Sequence, residues 1–280
     1  MKFGVNTLIW SGGFEPEKYP IDALKEAGVD GIEIPVFTPG DLDVAAVRRV
    51  AAENALNVHF CSVNPDGINP ISDDAGVRAK TVQHWKTLVG VAADAGADQI
   101  AGPTPAPVGF LPGRRRTKDE WKWGVEFHQA LDDSLADAGV TLAVEPLNRF
   151  ETYFLNTSAD GLQFVKEIGS PRIGLLLDTF HQNIEEKDLA DAYTLCGDHL
   201  MHVHTCENDR GTPGSGHVDW SGVLAAVKAT GYDRWLTIES FNSHIAELSA
   251  ATAIWRDLAA SMDDIAIDGT KFLRDLWERV

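Results

Sequence analysis

Residues 141–178, "TLAVEPLNRFETYFLNTSADGLQFVKEIGSPRIGLLLD", contain two apolar runs separated by a segment with helical spacing. The first run ends in Glu145 and the second in Asp178. The segment between them has Thr157 or Ser158 as its candidate N-cap, and a glycine followed by a proline marks its end. Two strands joined by a helix form the repeating unit of a parallel sheet, and this unit sets the expected fold.

The same unit recurs along the chain. Eight strand and helix pairs without an intervening linker predict an α/β protein with a single (β/α)8 TIM barrel, forming one domain over residues 1–280. An open, doubly wound sheet is the alternative, but "NTLIWSGGF" after the first run lacks the Gly-rich loop of dinucleotide-binding sheets. The eight apolar runs are "KFGVNTLI", "GIEI", "NVHFC", "QIAG", "TLAVEP", "IGLLLD", "LMHVHT" and "WLTIES". Glycine marks the expected end of several helical segments, at Gly28, Gly96, Gly139, Gly169, Gly197 and Gly231.

The last helical segment, "HIAELSAATAIWRDLAA" at residues 244–260, is predicted to be one long helix. Trp255 lies in this segment, and Trp121 and Trp123 lie in an earlier one. All three side chains are expected to pack between helices and barrel, because large aromatic rings usually serve that purpose.

The composition of the chain argues against several classes of function. The chain has 24 Lys and Arg against 42 Asp and Glu, a formal net charge of −18, which would repel nucleic acid and anionic membranes. Cys61, Cys196 and Cys206 suggest neither a disulfide framework nor a CxxC metal site, so we expect a reducing cytoplasm. No run reaches the roughly 20 apolar residues of a membrane span, and the N-terminus lacks a long apolar leader. We therefore expect a soluble, unprocessed protein.

Polar side chains end four consecutive strands of the predicted barrel: Glu145, Asp178, His204 and Glu239. TIM barrels carry their chemistry at this end of the strands. Because side chains alternate along a strand, all four are expected to point into the barrel mouth. The opposite faces, which should contact the helices, carry Leu142, Val144, Leu175, Leu177, Met201, Val203, Leu236 and Ile238.

Three carboxylates brought together in this way would repel one another and would be costly to bury. A divalent cation removes that cost. Three oxygen ligands and one imidazole suit Mn²⁺, which is the ion we expect, with Mg²⁺, Co²⁺ or Zn²⁺ as alternatives. The sequence therefore predicts one metal ion bound by these four residues.

Three further groups follow the strand ends closely: Glu151, His181 and Arg210. They belong to a set of distinctive stretches: "EPLNRFET", "LDTFHQNIEE", "HVHTCENDRG", "IESF", "IWRDL" and "FLRD". In these stretches the chain resembles the D-tagatose/D-psicose (D-allulose) 3-epimerase family of the xylose-isomerase-like sugar isomerase superfamily. The resemblance covers the C-terminal half well and the N-terminal half mainly in its barrel pattern.

The resemblance implies an isomerase that inverts carbon 3 of a ketose through an enediolate. Glu145 and Glu239 would be the acid/base pair as well as metal ligands, since inversion needs a proton carrier on each side of the carbon. His181, Arg210 and Glu151 would hold the substrate. The expected partner is a small sugar, and we expect a homo-oligomer, either a dimer or a tetramer.

A metal-dependent lyase of the same superfamily is the main alternative. A dehydratase, or an enzyme like the C-glycoside deglycosylases that acts on a 3-oxo sugar, also begins by removing a proton beside a carbonyl. The apurinic endonucleases share the barrel but need a cationic groove, which this composition does not offer. A sugar-binding module without catalysis is the remaining class.

The predicted fourth loop, "GPTPAPVGFLPGRRRTKDEW" at residues 102–121, is long and carries Arg114, Arg115 and Arg116. It is interpreted either as a lid over the sugar or as a site for a phosphate. The lid is favoured, because the apolar residues and prolines of the loop suit a cover over a ring.

Overall fold

Eight parallel strands form a closed barrel in the order of the chain, in a computed structural model that describes residues 1–280. This confirms the predicted TIM barrel and excludes the open sheet. The strands are β1 Lys2–Asn6, β2 Gly31–Pro35, β3 Asn57–Cys61, β4 Gln99–Gly102, β5 Thr141–Val144, β6 Ile173–Asp178, β7 Leu200–His204 and β8 Trp235–Ile238.

Eleven α-helices accompany the strands. They are α1 Ile21–Ala27, α2 Val44–Asn54, α3 Ala75–Ala95, α4 Lys118–Gln129, α5 Asp132–Ala138, α6 Ser158–Ile168, α7 Thr179–Glu185, α8 Leu189–Cys196, α9 Trp220–Ala229, α10 Ala246–Thr252 and α11 Met262–Arg279. None of them combines the length and the hydropathy needed to cross a lipid bilayer.

Helix α6, which connects β5 and β6, has a capping residue at each end. Thr157, not Ser158, is the N-cap of α6, and its hydroxyl accepts the backbone N–H of Asp160 at 3.2 Å. Gly169 ends the helix in the left-handed conformation, with φ 74° and ψ 17°. Gly197 is an exception among the predicted stops, because its φ of 48° and ψ of −128° lie outside that conformation.

The predicted long helix at residues 244–260 is wrong. Helix α10 ends at Thr252, and Ala253 turns the chain with a φ of 56°. The turn allows the N–H of Ile254 to bond to the carbonyl oxygen of Ser249 and buries the Ile254 side chain, as in other helix ends of this kind. Trp255 then follows outside the helix with 76% of its surface exposed, so its predicted packing role is also wrong.

The two earlier tryptophans are at least half-buried, but only Trp121 packs against the core between barrel and helices, as predicted for both. The Trp121 ring lies 5.1 Å from that of Phe164 on α6, so it packs between two outer helices. The Trp123 ring is covered by the guanidinium of Arg78 at 4.3 Å.

Alternation along the strands places the aliphatic side chains as expected, with one correction. Seven of the eight side chains predicted to face the helices belong to the large core between barrel and helices, but Met201 lies inside the barrel with Ala101, Ala143 and Leu176. The reason is a β-bulge: Leu175 pairs with Leu200 and Leu176 pairs with His202, which leaves Met201 as an extra residue.

The middle of the barrel is polar, although branched aliphatic side chains usually fill this space in TIM barrels. Glu33, His59, His202 and Thr237 are fully buried there, and Gln99 nearly so. This polar layer supports the side chains at the carboxyl ends of the strands.

Candidate metal centre and substrate pocket

Four side chains from four consecutive strands meet at the mouth of the barrel. Asp178 and His204 end β6 and β7, and Glu145 and Glu239 directly follow β5 and β8. One ligand atom from each lies within 4.8 Å of the others. His204 Nδ1 lies 3.4 Å from Glu239 Oε2 and 4.0 Å from both Glu145 Oε1 and Asp178 Oδ2. The structure thus brings together the four residues predicted from the strand ends.

Two of these ligand atoms have no hydrogen-bond partner. Glu145 Oε1 and His204 Nδ1 are buried and unpaired, although they face each other across the cluster. A buried polar atom without a partner is costly, and a cation between the four groups would satisfy both atoms. Three carboxylates and one imidazole are also a suitable donor set for a divalent ion. The residues therefore fit the expected metal.

The surroundings of Glu145 and Glu239 shift the pKa values of these two side chains in opposite directions. Burial, followed by repulsion from Glu239, raises the pKa of Glu145 well above its usual value. Burial also opposes ionisation of Glu239, but the adjacent His204 and Arg210 outweigh it and lower its pKa. Burial is likewise the main reason that the pKa of Asp178 is raised. Two carboxyl groups with pKa values shifted in opposite directions are typical of an acid/base pair.

Arg210 is part of the same cluster. Its Nη1 donates to Asp178 Oδ2 at 2.6 Å and to Glu239 Oε2 at 2.7 Å, and its guanidinium stacks over the Phe180 ring. The backbone at Arg210 has a φ of 69°, and Ser240 Oγ donates to its carbonyl oxygen at 2.6 Å. The loop after β7 is therefore fixed in a turn that directs this guanidinium into the site.

Glu207, which the sequence analysis did not identify, organises that loop. Its buried carboxylate accepts hydrogen bonds from the backbone N–H groups of Gly214 and Val218, at 2.8 and 3.0 Å, and from Trp220 Nε1 at 2.8 Å. Burial opposes ionisation of Glu207, yet these donors outweigh it and lower its pKa. The sequence feature that could have indicated this role is the position of Glu207 in "TCENDRG", three residues before Arg210.

His181 and Glu151 are linked by Asn148. The backbone N–H of Asn148 donates to His181 Nδ1 at 3.1 Å, and its side-chain amide reaches the same nitrogen at 2.9 Å and Glu151 Oε1 at 2.8 Å. Burial, and then Arg210, holds the pKa of His181 well below its usual value, so the ring is neutral. A neutral imidazole has one accepting nitrogen, so donation from Asn148 to Nδ1 and donation from Arg210 Nη2 to Nε2, at 3.0 Å, cannot both be made at once.

Two nitrogen atoms that could each donate to a bound ligand lie beside the cluster. His181 Nε2 lies 3.0 Å from Arg210 Nη2 and 3.7 Å from Glu145 Oε1. Neighbouring donors of this kind suit an oxygen that carries negative charge. Asn148, which creates the arrangement, lies in the stretch that predicts the fold, but its role depends on a contact 33 residues away in the sequence.

A second cluster lies directly beneath the first and was also missed. Glu33 on β2 is fully buried, with His204 Nε2 at 2.9 Å from its Oε1 and His202 Nε2 at 2.9 Å from its Oε2. Burial lowers the pKa of His202 to about 4, in agreement with a neutral interior histidine. Glu33 could have been identified from the sequence, because it is a charged residue within the apolar run "GIEI". Alternation along the strand places it on the inner face.

The four-residue cluster opens into a cavity of about 230 Å³. Glu145, Glu151, His181, His204, Arg210 and Glu239 form the polar end of this cavity. The remaining wall is mainly apolar and includes Leu8, Phe37, Val63, Val108, Leu147, Phe241 and Leu248. A small ligand with polar groups at one end fits this division.

The arginines of the fourth loop do not line the cavity. Arg114 forms two hydrogen bonds with Glu120, at 2.7 and 3.0 Å, and Arg116 pairs with Asp160 at 2.9 Å. Val108, from the same loop, does contact the cavity. The loop thus presents an apolar side chain to the cavity, while two of its three arginines are held by acidic partners.

Comparisons with known proteins give a consistent result. Residues 21–274 match the model of the family described as "Xylose isomerase-like TIM barrel". The chain is 36% identical over 279 residues to a protein of Synechocystis sp. named "Probable ketose 3-epimerase", covering 99% of this chain and 97% of that one. It is 34% identical to an L-ribulose 3-epimerase of Mesorhizobium japonicum, covering 95% and 90% of the two chains. The crystal structure of a D-allulose 3-epimerase from Methylomonas sp. in complex with D-allulose superposes with a TM-score of 0.92 at 31% identity, covering 98% and 96%.

Proposed function

The chain belongs to the xylose isomerase-like TIM barrel family and, within it, to the ketose 3-epimerases, which are isomerases, and from that premise we propose that it inverts carbon 3 of an unphosphorylated ketose with one divalent metal ion. The observation that carries the proposal is the convergence of four potential ligand atoms within 4.8 Å at the polar end of a small cavity. Mn²⁺ is the proposed ion, with Mg²⁺, Co²⁺ or Zn²⁺ as alternatives.

Glu145 and Glu239 would carry the protons. Both line the cavity, and they arise from β5 and β8, so a ketose bound between them would present its two faces to different carboxyl groups. One glutamate would take the proton from carbon 3, and the other would return a proton to the opposite face through an enediolate.

Asp178 and His204 would complete the ligand set with the two glutamates. A divalent cation held there would polarise the ketone and stabilise the negative charge that develops as the proton leaves. The unpaired Glu145 Oε1 and His204 Nδ1 support this role, since each needs a partner and neither has one within the protein.

His181 and Arg210 would donate hydrogen bonds to the oxygen atoms next to the reacting carbon. With Asn148 donating to Nδ1, the neutral His181 ring would offer its Nε2–H to such an oxygen, and Arg210 Nη2, 3.0 Å from Nε2, would donate to the same oxygen. Glu151 also lines the cavity, and its Oε1 is oriented by Asn148, so it would accept from a sugar hydroxyl. These contacts would hold the ketose in one position and orientation relative to the two glutamates.

An unphosphorylated substrate is supported by the charges around the cavity. Arg210 is the one Lys or Arg side chain among the lining residues, and its Nη1 already pairs with Asp178 and Glu239. Arg114 and Arg116 pair with acidic residues elsewhere. The apolar wall would cover carbon atoms of the sugar rather than bind a phosphate.

Proton NMR in D₂O tests this function. The metal-loaded protein should convert a free ketose into its C3 epimer with one deuterium at carbon 3, and L-ribulose and D-allulose, for which relatives are named, are the first substrates to try. The ketose phosphates and a 3-oxo-glycoside serve as comparisons. Formation of two products from one substrate would establish a lyase instead, and turnover of the phosphates alone would exclude the unphosphorylated substrate.

A homo-oligomer, either a dimer or a tetramer, and a cytoplasmic location are also proposed from the sequence. Sedimentation analysis would measure the assembly directly.

The proposal of one domain over residues 1–280 is supported by the closed barrel, and a single cooperative unfolding transition would test it.

A further inference from the structure

We propose that Glu33 is a positioning residue that holds the His204 ring with Nδ1 toward the metal and strengthens binding of the ion. The inference rests on the metal site proposed above. It concerns a side chain that lies beneath the site, does not line the cavity and has no place in the chemistry described so far.

His204 can ligate a metal through only one of its nitrogens in this site. Nδ1 faces the three carboxylates, the nearest being Glu239 Oε2 at 3.4 Å, whereas Nε2 lies 2.9 Å from Glu33 Oε1 on the other side of the ring. A ligating nitrogen must offer its lone pair, so the ring proton must be on Nε2. Glu33 is the acceptor that this tautomer requires.

A hydrogen bond orients Oε1 of the Glu33 carboxylate, and two histidine rings lie close to Oε2. Asn6 Nδ2 donates to Oε1 at 2.7 Å. His202 Nε2 lies 2.9 Å from Oε2, and His59 Nε2 lies 3.3 Å from it. Strand register places Asn6, Glu33 and His59 side by side on β1, β2 and β3. Glu33, the acceptor for His204, is therefore contacted by side chains of β1, β3 and β7.

Burial increases the effect of this carboxylate on the metal. Glu33, His202 and His59 are fully buried, so little solvent screens the Glu33 charge. A carboxylate that accepts from the outer nitrogen of a ligating histidine fixes the ring and raises its basicity. Loss of such a partner typically weakens metal binding by about 10- to 100-fold.

The first test measures Mn²⁺ binding by calorimetry on metal-stripped protein. Glu33→Gln keeps the size of the side chain but removes its charge, and we expect the Kd for Mn²⁺ to rise by roughly tenfold or more. Turnover should recover when Mn²⁺ is raised well above the new Kd, with the KM for the ketose little changed. Glu120→Gln is the matched control, since Glu120 is another buried carboxylate but pairs with Arg114 in the fourth loop; its Kd should stay within about twofold of the native value.

A second measurement does not depend on a variant that folds. Nitrogen-15 NMR of the histidine rings in native protein loaded with Zn²⁺ or Mg²⁺ should show His204 with its proton on Nε2 and a metal-shifted Nδ1. The reverse assignment would overturn the inference. So would a folded Glu33→Gln variant with native Mn²⁺ affinity, or a second equivalent of metal that is lost in this variant, because Glu33 would then be a ligand itself. Failure of the native protein to bind any divalent ion would instead overturn the proposed metal site, and this inference with it.

Discussion

Arg210 Nη1 lies 2.6 Å from Asp178 Oδ2, so a buried guanidinium shares the carboxylate that we assign to the metal. The same nitrogen reaches Glu239 Oε2 at 2.7 Å. Arg210 therefore neutralises part of the negative charge of the cluster and brings its remaining N–H groups beside His181.

Removal of the metal should lower the thermal stability of the protein. Arg210 and His204 offset only part of the repulsion among Glu145, Asp178 and Glu239, so the cation should contribute to stability. An ion present at about 100 times its Kd adds roughly 2.7 kcal/mol, which corresponds to a rise in Tm of roughly 5–10 °C for a chain of this size. Differential scanning calorimetry before and after chelation measures the change. An unchanged Tm after verified loss of the metal would contradict the site.

Glu145→Gln and Glu239→Gln should each reduce kcat by roughly 10²- to 10⁴-fold, because Gln keeps an oxygen ligand but cannot transfer a proton. Each variant should retain measurable Mn²⁺. The rate of deuterium exchange at carbon 3, followed for both epimers, should show which glutamate serves which face. Native turnover in either variant would remove that residue from the acid/base role.

Asn148→Ala should lower kcat by roughly tenfold or more, because it removes the side-chain amide that orients both His181 and Glu151. The backbone N–H of residue 148 would still donate to His181 Nδ1, so the loss should come from the freed Glu151 side chain and from the weaker support of the His181 ring. Arg149→Ala is the control from the same loop, as the Arg149 side chain is exposed, pairs with Glu185 and does not line the cavity. It should stay close to native turnover, and equal losses in both variants would indicate a general effect on the loop.

Replacement of Arg114, Arg115 and Arg116 together with Ala should leave the KM for free ketoses within about threefold of the native value, which corresponds to less than about 0.7 kcal/mol. None of the three side chains lines the cavity. The Tm should fall, because the contacts of Arg114 with Glu120 and of Arg116 with Asp160 are lost. An increase of tenfold or more in the KM for a ketose phosphate alone would restore the phosphate interpretation of this loop.

Glu120 should contribute to stability in a pH-dependent way. Hydrogen bonds from Arg114, followed by the backbone N–H of Thr117 and the hydroxyl of Tyr153, outweigh burial and lower its pKa to about 2. A lowered pKa in the folded state stabilises the protein above the pKa of the unfolded chain, and this stabilisation is lost as the pH falls through the folded value. Glu120→Gln should therefore be less stable than the native protein at pH 7, with a difference that shrinks below about pH 4.5. Denaturant unfolding at several pH values would measure it, and a constant difference would contradict the assignment.

The barrel and its four strand-end residues were predictable because both depend on short-range pattern. Alternation decides which way Glu145, Asp178 and His204 point, and the fold then brings strand ends together without further information. The same rule was available for Glu33, but its function depends on His204, which is 171 residues away. Sequence spacing does not report such a contact.

The errors arose where one residue changes the local geometry. Ala253 adopts a left-handed conformation that alanine seldom favours, and this divides the helix expected at residues 244–260. Met201 is an extra residue in β7, which contains no glycine or proline, and its side chain occupies the space beside Gly174 on β6. Both features are set by the packing of side chains, Ile254 in the first case and the barrel interior in the second.

The bulge in β7 makes Met201 a position that could be deleted without changing the direction in which His204 points. Leu200 lies in the outer core, Met201 and His202 lie inside the barrel, and Val203 lies in the outer core again. Loss of the codon for Met201 would leave a strand of perfect alternation in which His204 still faces Asp178, whereas loss of Val203 would break that alternation next to His204. The strand that supplies the imidazole can thus change in length at one point during evolution without moving the site.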